Sequence, residues 1–70
     1  MKIEYVIIDD KRFGVISEIP NQDTVYVFLA NLEDPSEQLI RKYKIENRDD
    51  LLPLETDQEF DFALKLFNKN

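Results

Sequence analysis

The chain has 70 residues, one small domain whose single core rarely supplies more than about 3–5 kcal/mol. It contains no cysteine and no histidine, which excludes disulfides, cysteine-based metal sites and triads built on the commonest general base. Against 9 bases stand 15 acids, a net charge of −6 that favours solubility and opposes non-specific nucleic-acid binding, while 43% hydrophobic residues are too many for a disordered chain.

Residues 2–8 are β-branched and aromatic, with Ile3, Tyr5 and Ile7 on one face. Val6 and Ile8 make the other face apolar too, which predicts a central strand or one covered on both sides. Asp9-Asp10-Lys11-Arg12 reads as a polar turn, and residues 13–19 as a second strand in which Gly14 marks a bulge just after that turn. Pro20-Asn21-Gln22-Asp23 fits a type I turn with φ preset by the proline. Residues 24–32 are the most apolar run, hence the middle of the sheet, with Val25, Val27 and Leu29 pointing one way and Tyr26, Phe28 and Ala30 the other.

A loop over 33–38 leads to an alternating strand at 39–46. Leu39, Tyr43 and Ile45 are expected to face inward with Arg41 between them, and Lys42, Lys44 and Glu46 to face water; such charge suits an edge strand. Asn47-Arg48-Asp49-Asp50 then turns the chain into an extended arm at 51–54, where Pro53 prevents a helix from running through.

The helix signal is the strongest in the chain. Thr56 and Glu59 have capping-box spacing, and Asp57 and Glu59 place negative charge in the first turn. Phe60, Ala63, Leu64 and Phe67 recur at i, i+3, i+4 and i+7, while Asp61 and Lys65 form an acid-then-base pair on the wet face. Lys65 and Lys69 bias the end positively, with Asn68 or Asn70 as terminator. Phe62 and Leu66 form a second apolar row rotated from the first. A helix lying in a groove would bury both rows, the commoner outcome; an exposed row would meet a partner chain, which makes Phe62 and Leu66 the candidate interaction residues. The sum is an α+β domain over residues 1–70: a four-stranded antiparallel meander with a C-terminal helix packed on one face, ββββα.

Little chemistry is available. Gly14 is the only glycine, so no phosphate-cradling loop exists, and Ser17 and Ser36 have no base in any recognisable motif. The paired acids lack calcium-loop spacing and read as turns and helix starts, so no metal and no cofactor are expected; a carboxylate-based hydrolase survives only on their abundance. Arg41, Lys42, Lys44 and Arg48 form the one basic cluster, but Tyr43 lies on the opposite pleat from Lys42 and Lys44, which favours a solvated strand over a nucleic-acid platform. Met1-Lys2-Ile3-Glu4 does not open a signal peptide, and no run reaches membrane-spanning length, so a cytoplasmic protein is expected. The reading is a non-enzymatic protein-interaction module whose partner is another protein or a second copy of itself. The alternative is an accessory of nucleic-acid metabolism contacting RNA or DNA through the basic cluster.

Leu52-Pro53-Leu54-Glu55-Thr56, the acid-bearing Asp57-Gln58-Glu59, Phe60 and a helix closing on Leu66-Phe67-Asn68 resemble the C-terminal signature of the YrzB-like family. These are small acidic proteins of low-GC Gram-positive bacteria, classed as of unknown function. The strand ending in acids at 6–10 and the aromatic and aliphatic strand at 25–29 resemble the family's front, whereas Lys11-Arg12 stand where it has a glycine-containing turn. The resemblance implies a small acidic bacterial protein and brings no catalytic residue.

Overall fold

The computed structural model describes residues 5–68; Lys2, Ile3 and Glu4 of the expected first strand, and Lys69 and Asn70 beyond the helix, lie outside them. In chain order come β1 Tyr5–Ile8, β2 Lys11–Asn21, β3 Thr24–Asn31, β4 Gln38–Lys44, β5 Asn47–Pro53 and α1 Asp57–Asn68. Each strand pairs antiparallel with its sequence neighbours, in the order β1-β2-β3-β4-β5. The antiparallel meander and the C-terminal helix are as the periodicity predicts, but the sheet has five strands, not four, and forms a half-barrel.

The alternation of β3 explains the two-sided core. Tyr26 and Phe28 lie with Ile19, Ile40 and Ala63 in one buried cluster, against which Leu54, Leu64, Leu66 and Phe67 pack. Val25, Val27 and Leu29 lie with Phe13 in a second, closed off by Val6, Ile8, Val15, Leu39, Tyr43 and Leu51. Every residue of the second cluster comes from the sheet, yet Leu29 has no exposed surface. A flat sheet cannot hide its own face, so this burial requires the curl that brings β1 and β5 round toward each other.

Turn chemistry sets the hairpins. Asp9 and Asp10 have φ of 53° and 65°, both central positions of a two-residue loop in the left-handed region, as a type I′ turn requires. The turn is therefore shorter than expected, because Lys11 and Arg12 already pair with Ile8 and Ile7. The second turn also differs: Pro20 pairs with Val25 inside β2, and the loop is Gln22-Asp23, with Gln22 at φ 60°. A proline is tolerated there because, among the described residues, β1 covers β2 only over residues 11–14 and nothing pairs with Pro20 on that side.

The bulge in β2 lies between Val15 and Ser17, not at Gly14. The extra residue, Ile16, reverses the alternation: Phe13 enters the second cluster, while Ile19, also odd-numbered, enters the first. Gly14 instead makes room for Leu32, whose Cδ2 would lie 2.8 Å from an added Cβ.

β1 is an edge strand rather than a central one, since its only described pairing is with β2. At the other side, residues 47–53 form β5, where a turn and an arm were expected, so β4 is interior and not an edge. The turn between them is Ile45-Glu46, and a register shift opposite Tyr43 absorbs the extra residues of β5. In α1 the Glu59 amide donates to Thr56 Oγ1 at 3.0 Å, the predicted cap. The reciprocal bond goes one residue further back, from the Glu55 amide to Glu59 Oε1 at 2.8 Å.

Candidate functional site

The residue that fixes the helix on the sheet is one the alternation assigns to water. β3 pairs with β4 so that Tyr26 faces Lys42 and Phe28 faces Ile40, which puts the Lys42 side chain under the helix, where it is 10% exposed. Its Nζ lies 2.8 Å from Glu59 Oε2, an oxygen that also accepts from the Tyr26 hydroxyl at 3.0 Å. Glu55 Oε1 stands 3.6 Å from the same ammonium. Burial pushes the Glu59 carboxyl up, but hydrogen bonds from Lys42, the Glu55 amide and Tyr26, with the Lys42 charge, outweigh it and hold the group below its ordinary range. The Lys42 ammonium is raised, chiefly by its hydrogen bond to Glu59, against desolvation. Burial, then the bond to Glu59, raises the Tyr26 hydroxyl. Among the described residues no buried side-chain polar atom lacks a hydrogen-bond partner, those of this network included.

The four bases of the nucleic-acid reading are thereby separated. Lys42 is under the helix; Lys44 donates to Thr24 Oγ1 at 2.9 Å and lies 3.8 Å from Asp23. Arg41, on the opposite pleat, donates to the Ile40 carbonyl at 3.1 Å. Arg48 is exposed on β5. The structure does not bring them onto one face.

The helix is rotated from the expected stripe. Glu59, Ala63, Leu66 and Phe67, at i, i+4, i+7 and i+8, meet the sheet: Ala63 has no exposed surface, Leu66 packs on the first cluster and Phe67 stacks on Phe28 with ring centroids 4.4 Å apart. Leu66 therefore belongs with the core. Phe62, 43% exposed, sits on one flank in an edge-to-face contact with Tyr26, ring centroids 6.0 Å apart. Phe60, expected in the buried stripe, is 44% exposed on the opposite flank.

That flank opens onto a cleft of about 250 Å³, lined by Ile16, Phe28, Ile40, Phe60, Leu64 and Phe67 among others. A second hollow of about 290 Å³ continues it past Ile40 and Phe60 to Leu54, Thr56 and Arg41. The first is walled mostly by carbon, and the bulged Ile16, 50% exposed, lines it together with Phe60. Sequence reasoning did not single out Phe60 or Ile16 as site residues. The signal present was the position of Phe60 between Asp57 and Asp61, which places it at the boundary of the wet face.

Among the described residues no group of acids has the arrangement of a metal site, and no helix is long and apolar enough to cross a membrane. The chain matches no protein-family model, no curated protein and no solved structure.

Proposed function

We propose that this domain is a non-enzymatic protein-binding module that accepts an apolar segment of a partner protein in the Phe60 cleft. The observation that carries the reading is the pair of large exposed apolar side chains, Phe60 and Ile16, that line a carbon-walled cleft of about 250 Å³. Exposed apolar side chains gathered around a groove mark a surface that a partner covers. The walls of this cleft are mostly carbon, so it offers little to orient a polar metabolite. One or two apolar side chains of a docked segment suit it better.

The test uses tagged protein as bait in an extract of its own cells, with and without nuclease, beside Phe60→Ser and Phe62→Ser. The reading expects a stoichiometric, nuclease-resistant partner that Phe60→Ser loses and Phe62→Ser keeps, with circular dichroism unchanged in both. Loss with Phe62→Ser alone would move the surface to the other flank and overturn it. Partners that vanish with nuclease would favour the basic-cluster alternative.

A further inference from the structure

The two edges of the sheet differ in how they are protected. β5 carries Asp49, Asp50 and Pro53 and an irregular register against β4, the devices that discourage a further strand. β1 is short, but its described residues, Tyr5, Val6, Ile7 and Ile8, include no charge and no proline, and every one is a strong strand former. Nothing among the described residues pairs with its outer side, and Ile7 is 66% and Tyr5 49% exposed.

The hairpin settles which backbone groups that edge offers. Ile8 and Lys11 flank the two-residue turn, so they form the hydrogen-bonded pair that closes it, and the alternation of an antiparallel ladder makes Val6 the next residue turned toward β2. The free N–H and C=O groups are those of Tyr5 and Ile7.

We propose that β1 pairs antiparallel with β1 of a second copy of this chain, joining two five-stranded sheets into one of ten. Side-by-side antiparallel pairing of identical strands requires a two-fold axis perpendicular to the sheet, which keeps like faces together and so allows only residues of equal parity to stand opposite one another. The register that uses both free residues sets Tyr5 against Ile7 of the second copy, Ile7 against its Tyr5, and Val6 against its Val6. That register makes four backbone hydrogen bonds and two aromatic–β-branched cross-strand pairs, and brings no charged residue of β1 against another. A shift by one residue in each copy would set Ile7 against itself and Tyr5 against Asp9, with half the bonds. A second copy brings the same exposed apolar pair, Tyr5 and Ile7, to the matching face of the joined sheet. Because the axis is perpendicular, both helices and both Phe60 clefts lie on the same side of the joined sheet.

The test is the mass in solution by light scattering across a concentration series, for the wild type, Ile7→Lys and Ile7→Pro. The wild type is expected to approach twice 8.4 kDa as concentration rises. Both variants should stay at 8.4 kDa with unchanged circular dichroism, because the Ile7 side chain is exposed and its N–H points away from β2. Val6→Cys should form an intermolecular disulfide under mild oxidation, since the central pair of this register stands about 4.5 Å apart between Cα atoms, whereas a cysteine at Phe62 should not. A wild type that stays monomeric at every concentration, or an Ile7→Lys variant that still dimerises, overturns the proposal.

Discussion

Glu59 accepts three hydrogen bonds, from Lys42, Tyr26 and the Glu55 amide. Removing it tests whether this network holds the helix in place. Glu59→Ala leaves an ammonium whose side chain is only 10% exposed, with Glu55 at 3.6 Å as its remaining counter-charge. Breaking a buried pair by deleting one partner costs about 3–5 kcal/mol. Glu59 is itself 19% exposed and Glu55 stays behind, so the lower end applies, about 3 kcal/mol. Set against the few kcal/mol available to a domain this small, that is most of its stability. The double variant Lys42→Met/Glu59→Leu exchanges both charges for apolar volume and should lose only about 1 kcal/mol, chiefly the Tyr26 hydrogen bond. Urea unfolding of Lys42→Met, Glu59→Leu and the double variant, followed by circular dichroism with equal m-values, closes the cycle and should give a coupling of at least about 2 kcal/mol. A loss below about 1 kcal/mol for Glu59→Ala alone, the value of an exposed pair, would refute the assignment of this contact as the anchor. So would a double variant as unstable as the sum of the singles.

The same network fixes the pH response. The Glu59 pKa is lowered from 4.5, so its contribution is complete above that value and is lost as pH falls through the lower folded value; the Lys42 pKa is raised from 10.5, so its contribution is complete below 10.5 and is lost as pH rises beyond it. Thermal melts should show both limbs, and Lys42→Met/Glu59→Leu should flatten them. Asp10→Gly removes a side chain from φ 65° and should stabilise the domain by about 0.5–1 kcal/mol in the same urea assay, since aspartate–glycine is a favoured type I′ pair. Leu66→Ser, in the core, should cost about 2–5 kcal/mol, whereas Phe62→Ser should cost about 0.5–1.5 kcal/mol, its edge contact with Tyr26; equal losses would mean that both residues share one environment.

Elements whose partners are close in sequence, or apolar on both faces, were legible. The Thr56 cap reaches only three residues, and β3 has the same partners whichever way its alternation is set, because both of its faces are buried. β5 was not legible. Asn47-Arg48-Asp49-Asp50 has the composition of a turn, and what makes it a strand is pairing with β4 across a shifted register, a tertiary effect that outweighs local preference. The bulge at Ile16 was hidden for a related reason: an isoleucine suits a strand on either face, whereas a glycine attracts suspicion whether or not the strand breaks there.

The candidate site was missed through the absolute rotation of the helix. Apolar spacing gives the angles between Phe60, Phe62, Leu64 and Leu66, but not which of them points at the sheet, and centring the stripe on carbon alone selects Phe60, Ala63, Leu64 and Phe67. Lys42 changes that choice. It shares a pleat with Ile40 under the helix, and a charge there requires an acid above it. Glu59, in the first turn of α1, is the residue that reaches it, and turning Glu59 inward carries Ala63, Leu66 and Phe67 to the sheet and swings Phe60 to the flank. The ion pair and the open cleft thus have one cause. A lysine on an apolar strand, taken with a glutamate at a helix start, held the orientation that hydrophobic periodicity lacked.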